Sequence, residues 1–266
     1  TNPMTWSDDK WPTCAHGGII PSYGIGHSEA QWFVRGVPNV KKAFAKVWGT
    51  DDLLTSFDGV SLWRPWNIDP SWKTQSGQAW FHIDQHPISK PGKQCIQGLI
   101  NLLPTSKEIG GNVVIPKSHN FFKDLPQEYK ERVERLPLDI DHFRFPHDDP
   151  KLSSEPAVMA HMEPGDMLLW DSRTIHCSSS GSSLPEGTND LIRAASLICM
   201  MPKKLSSKEI LDKRIHAAEN LVSTTNWTND FRNADEFPII LEAENRDQYK
   251  WPKKPNLSDY QKELIA

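Results

Sequence analysis

The chain has 266 residues, 37% of them hydrophobic, with 21 prolines, 11 tryptophans and a formal net charge of −4. That is enough apolar material for a full core in one large or two small domains. The charge gives no electrostatic case for nucleic-acid binding, and no window approaches the eighteen apolar residues of a membrane span.

The start, Thr1 to Trp6, has neither a basic nor an apolar stretch of signal-peptide type, so the cytoplasm is the expected compartment unless a targeting segment preceded Thr1. Cys14, Cys95, Cys177 and Cys199 are widely spaced without a CxxC pair, which predicts reduced thiols. No protein partner is evident.

Residues 28–48 read as helix, with Ser28 as N-cap, a division at Pro38 and a stop at Gly49. A strand-like stretch, Leu53–Trp63, is interrupted by Asp58-Gly59, where a turn or bulge is expected. Short strands follow at Trp80–Asp84, Cys95–Leu103, Asn112–Pro116, Ala157–His161, Met167–Trp170 and Arg193–Met201, separated by turn residues. A helical excursion is expected at Pro126–Arg135 and an amphipathic helix from Ser207 to Val222. The tail beyond Asp230 is polar and is expected to wrap the surface.

The pattern predicts a mainly β fold with flanking helices: a jelly roll, or double-stranded β-helix of cupin type. A single domain over 1–266 is expected. It divides into a helical N-terminal segment over residues 1–52, a core of about 53–202, and a C-terminal helix and tail over 203–266.

His82 and Asp84 are two residues apart on an extended segment, so both side chains point to one face. An imidazole and a carboxylate there are two of the three ligands of a mononuclear non-haem iron site. The third must come from elsewhere, and His176 follows the turn and strand Pro164–Asp171. Arg193 opens an apolar strand, where a guanidinium is costly unless it binds a carboxylate or reaches solvent. The same three ligand types also suit a zinc hydrolase. His16, His27, His86, His119, His142, His147, His161 and His216 lack ligand-like spacing and read as structural or surface residues.

Together these segments resemble the phytanoyl-CoA dioxygenase family of iron(II)- and 2-oxoglutarate-dependent oxygenases over about residues 19–230. The resemblance rests on Trp80-Phe81-His82-Ile83-Asp84, Gln97–Leu103, Gly110–His119, Pro164-Gly165-Asp166, His176 and Arg193. The early stretch, Gly24–Ser28 through Ser56–Gly59, looks like a subgroup acting on small molecules of secondary metabolism.

The resemblance implies that His82, Asp84 and His176 bind Fe(II) and that Arg193 pairs with the distal carboxylate of 2-oxoglutarate. Ser178 is an expected helper, and Gln97 or Asn101 could also reach the cosubstrate. The Ser/Gly-rich residues 178–183 look like an inserted loop. The implied reaction consumes O2 and 2-oxoglutarate, releases succinate and CO2, and oxidises a substrate C–H by hydroxylation, cyclisation or desaturation. Related halogenases need chloride where the carboxylate sits, so Asp84 argues against halogenation.

Trp63, Trp66, Trp72 and Trp80 crowd the approach to the triplet, with Arg64 and Lys73 among them. Arg64, Trp66, Lys73 and Trp80 are the expected substrate contacts, for a small anionic or amino-acid-like metabolite. Those tryptophans can equally be core and the cations solvated. The alternatives are an inert binding protein on the same fold and an acyl-CoA hydroxylase.

Overall fold

The computed structural model describes residues 2–15, 18–74, 80–244, 247, 249 and 251–266. The described strands are β1 (Ile19–Ile20), β2 (Leu53–Thr55), β3 (Val60–Trp63), β4 (His82–Asp84), β5 (Ile96–Asn101), β6 (Gly110–Val114), β7 (His142–Arg144), β8 (Val158–Met159), β9 (Met167–Asp171), β10 (His176–Ser180) and β11 (Arg193–Pro202). They form two antiparallel sheets, ordered β1-β3-β11-β5-β9, with β2 also on β11, and β7-β4-β10-β6-β8. This is the expected jelly roll with flanking helices.

The first sheet is covered on its outer face by α1 (Glu29–Arg35) and α2 (Pro38–Trp48). Ser28 caps α1 by accepting from the Gln31 amide, Pro38 opens α2, and Gly49 ends it in the left-handed region at φ 69°. Val34, Val40 and Phe44 pack on Ile96, Ile100, Ile198 and Met200. Those strand residues occupy even positions, so the odd ones, among them Gln97, Leu99, Arg193 and Leu197, face the other way. Phe44 is fully buried, and its replacement by Ala would cost about 3–5 kcal/mol.

The expected break at Asp58-Gly59 separates β2 from β3 and is held by α1. Gln31 Nε2 donates to the carbonyls of Asp58 (3.1 Å) and Gly59 (2.8 Å). A Cβ at Gly59 would lie 1.8 Å from the Ile20 carbonyl oxygen, so no larger residue fits without moving β1.

The second sheet is covered on its outer face by α3 (Leu125–Glu128) and α4 (Lys130–Arg135), the expected excursion broken at Tyr129. Leu125 and Val133 pack on Ile83, Ile115, Phe143 and Ile175. Because Ile83 and Phe143 point outward, their neighbours His82, Asp84 and His142 point into the space between the sheets.

Three expectations need correction. Residues 178–180 are not an inserted loop: Ser178, Ser179 and Ser180 continue β10 and pair with Asn112, Gly111 and Gly110. Small polar residues carry little strand signal, and the pairing strand supplies the order. The tail does not simply wrap the surface. After α5 (Lys208–Asn220) and α6 (Pro238–Leu241), α7 (Asp259–Glu263) delivers Leu264 into the core beside Phe44, with no side-chain exposure. Finally, β1, β7 and β10 have no counterpart among the expected strands.

Candidate metal centre

Strand register brings the key side chains together. His176 in β10 lies directly opposite His82 in β4, and Asp84 lies opposite His142 in β7. Directly opposed residues of an antiparallel pair share a face, so four potential ligands converge. The His82 and His176 rings are 4.4 Å apart between centroids, and His82 and His142 are 4.5 Å apart.

Backbone carbonyls fix two of the rings. His82 Nδ1 lies 3.0 Å from the Trp80 oxygen, and His176 Nδ1 lies 2.8 Å from the Thr174 oxygen. With Nδ1–H donated there, each ring turns the lone pair of Nε2 toward Asp84. The distances are 3.5 Å from His82 Nε2 to Asp84 Oδ1 and 3.3 Å from His176 Nε2 to Asp84 Oδ2. Trp80 stacks flat on His82 at 4.2 Å.

His142 joins from the other side, with Nδ1 3.5 Å from Asp84 Oδ1. One ligand atom each from His82, Asp84 and His142 lie within 4.8 Å of one another, a spacing able to hold an ion. No spacing in the chain points to His142. Its only signal is the alternation Asp141-His142-Phe143-Arg144-Phe145, in which both phenylalanines are buried.

Electrostatics match this donor set. Burial pushes the His82 pKa down to about 4, against the opposing pull of Asp84. Burial alone would raise the Asp84 carboxyl, but the surrounding histidines, His82 first, hold it well below the usual carboxylate range. At neutral pH the centre therefore presents an anionic carboxylate and a neutral imidazole, the protonation states a divalent cation requires. Gln97 Nε2 donates to Asp84 Oδ2 at 3.0 Å and orients the carboxylate.

A cavity of about 430 Å³ lies over this group, between the two sheets. Arg193 lines it and is 2% exposed, its guanidinium stacked 4.5 Å from the Trp63 ring. Its Nε and Nη1 have no hydrogen-bond partner among the described residues, and burial pulls its pKa down to about 10. A buried guanidinium without an anion is costly, and a carboxylate-bearing ligand in the cavity relieves that cost. The residues present thus fit both a divalent iron and a dicarboxylate such as 2-oxoglutarate.

The other expected site residues divide. Ser178, Gln97 and Trp80 line the cavity. Asn101 does not: its Nδ2 donates to the Leu103 oxygen at 2.7 Å, which ties down the end of β5. Arg64 lies outside the lining, paired with Asp8 at 2.6 Å and stacked on Trp72 at 4.6 Å. Lys73 and Trp66 also lie outside it, packed on each other at 4.2 Å. These three follow β3, which belongs to the opposite sheet from the triplet. His16 lies outside the described residues. Sequence reasoning also missed a cavity wall from the C-terminal region, including Asn226, Trp227, Arg232 and Phe237.

The family model for phytanoyl-CoA dioxygenase (PhyH) matches residues 32–184, more than half of the chain, with His82, Asp84 and His176 inside the match. Ava biosynthesis cluster protein O of Aspergillus versicolor is 33% identical over 229 residues, covering 83% of this chain and 70% of that protein. A Dictyostelium discoideum protein whose name carries the words phytanoyl-CoA dioxygenase is 22% identical over 264 residues, covering 86% and 69%. Among solved structures, the non-heme alpha ketoglutarate dependent epimerase SnoN from nogalamycin biosynthesis aligns at 16% identity with a TM-score of 0.47, covering 71% of this chain and 65% of that one. The chain thus spans less than two thirds of that structure's length. The family match and the relative at 33% identity agree with the converged histidines and carboxylate: the chain belongs to the phytanoyl-CoA dioxygenase family of 2-oxoglutarate-dependent non-haem iron oxygenases.

Proposed function

We propose that this oxygenase oxidises a C–H bond of a small-molecule metabolite, with His82, Asp84 and His176 as its iron ligands and Arg193 as the anchor of 2-oxoglutarate. The single observation that carries this reading is the buried guanidinium of Arg193, whose Nε and Nη1 have no hydrogen-bond partner among the described residues, in the same cavity as the converged histidines and Asp84. Bound iron and 2-oxoglutarate, with O2, supply an oxidant that removes hydrogen from a C–H, releasing succinate and CO2.

The chain's own residues do the positioning. His82 and His176, anchored by backbone carbonyls, present matched Nε2 atoms, and Gln97 holds the Asp84 carboxylate between them. His176 is preferred to His142 as the third ligand because its side chain is 5% exposed and its ring is fixed, while His142 is 34% exposed. Trp80 and Trp170 line the cavity beside the centre and give it apolar walls. A role in secondary metabolism is supported by the likeness to a biosynthesis-cluster protein.

An anaerobic titration of the full chain with Fe(II) and 2-oxoglutarate tests the centre. A visible charge-transfer band is expected in wild type and not in Asp84→Ala. A wild type without the band, or an Asp84→Ala variant with an undiminished one, would overturn the assignment. Screening small metabolites for stimulated succinate release then addresses the substrate.

A further inference from the structure

The charges around the substrate side of the cavity are unbalanced. Lys90 Nζ lies 2.8 Å from both Asp141 Oδ2 and Asp230 Oδ2. Arg232 lies 3.7 Å from Asp139 and 3.8 Å from Asp141 Oδ2. Three carboxylates therefore share two cations, which leaves one negative charge over. This chain of ion pairs fastens the C-terminal wall, including Trp227 and Phe237, to the segment that carries His142. It lies partly beyond the family match, which ends at residue 184.

Asp141 stands between the two cations, both of which face its Oδ2. It lines the cavity and is 8% exposed, with Oδ2 committed to Lys90. Its Oδ1 is buried without a hydrogen-bond partner among the described residues. A buried carboxylate oxygen left unsatisfied costs free energy that an incoming donor returns. Arg193 is taken by the cosubstrate, and Arg232 is already shared between carboxylates. An anionic substrate would therefore compete with two carboxylates for Arg232, the remaining cation among the described lining residues.

We propose that the substrate presents an N–H donor, an ammonium or amide nitrogen, to Asp141, with its apolar body against Trp227 and Phe237. The inference rests on the oxygenase site described above and favours the amino-acid-like half of the expected substrate class over a purely anionic one. Arg64 and Lys73, which suggested an anion, lie outside the cavity lining.

The test compares three probes that share a phenyl body: phenethylamine, phenylacetamide and 3-phenylpropionate. Each is titrated by calorimetry into the full chain, loaded anaerobically with Fe(II) and saturating 2-oxoglutarate. The amine and the amide are expected to bind more tightly than the carboxylate. Asp141→Asn should weaken the amine by about tenfold or more, and Arg232→Gln, which removes a competing cation, should tighten it. A carboxylate that binds as tightly as the amine, an unchanged ranking in Asp141→Asn, or no amine binding up to its solubility would each overturn the proposal.

The charge-transfer band in the same samples separates the two ideas. With the band present, a failed ranking defeats only this inference. Without the band the oxygenase reading fails, and the ranking is read in Arg193→Met, where the cosubstrate cation is gone; amine preference there still supports the Asp141 assignment and its loss overturns it.

Discussion

His142 stands opposite Asp84 in the β4–β7 register, its Nδ1 3.5 Å from the carboxylate oxygen that also faces His82 Nε2. The centre therefore holds four protein side chains where a facial triad uses three. His176 meets the other carboxylate oxygen, so Asp84 bridges the two competing histidines.

This arrangement separates ligand from neighbour by metal affinity. His176→Ala is expected to lose Co(II) binding by roughly 100-fold or more, and His142→Ala by about tenfold, the scale of an outer-shell partner. Calorimetric titration of each variant without 2-oxoglutarate provides the measurement. The reverse order would transfer the third ligand position to His142.

Gln97 offers a sharper test of orientation. Its amide donates to Asp84 Oδ2 at 3.0 Å without being a metal ligand itself. Gln97→Leu should keep the thermal transition within a few degrees and weaken metal binding about 10–100-fold. Gln97→Asn, whose shorter side chain does not reach Asp84, should weaken it similarly. Equal metal affinity in all three proteins would show that the contact does not position the ligand.

Much of this centre was legible in the sequence because a strand's period of two is local. His82 and Asp84 share a face whatever the rest of the chain does. What brings His176 to them is register with a strand more than ninety residues earlier, which local pattern cannot specify. Here the family resemblance supplied what periodicity could not. His142 was lost because β7 is three residues long, preceded by Asp141 and followed by Phe145-Pro146. Arg64 and Lys73 misled in the opposite way, being near the triplet in sequence but outside the cavity lining. Ser178 to Ser180 looked like a loop because small polar residues say little about pairing.

A buried histidine outside the centre makes stability depend on pH. His27 packs on Phe57 and its Nε2 lies 2.9 Å from the Val222 oxygen. Burial, with the nearby Arg35 guanidinium, pushes its pKa down from 6.5 to about 3. Between those values the unfolded chain binds a proton that the folded chain does not. The stability gained by keeping His27 neutral is therefore complete above about pH 6.5 and is lost as pH falls toward 3. The limiting slope is about 1.4 kcal/mol per pH unit. In His27→Gln this dependence should vanish, so the stability gap between wild type and variant should narrow from pH 7.5 to pH 5 in urea melts. A gap that stays constant over that range would mean that His27 does not set the dependence.

Arg193 places stability and function in opposition. Its buried Nε and Nη1 lack partners among the described residues, so in the absence of ligand the folded state bears a poorly compensated cation, relieved only partially by the Trp63 ring at 4.5 Å. Arg193→Met replaces it with an apolar chain of similar length and should stabilise the metal-free protein by roughly 1–3 kcal/mol. The same variant should bind 2-oxoglutarate about 100-fold more weakly while its affinity for Co(II) alone is unchanged, because the metal ligands are untouched. With saturating Co(II) and 2-oxoglutarate the order should reverse, since ligand binding to the native state adds stability only where the ligand binds. Thermal melts of both proteins with and without ligands would show the crossing. An Arg193→Met variant that is less stable in both conditions would mark the arginine as a structural element of the sheet, and the cosubstrate anchor would have to be sought elsewhere in the cavity.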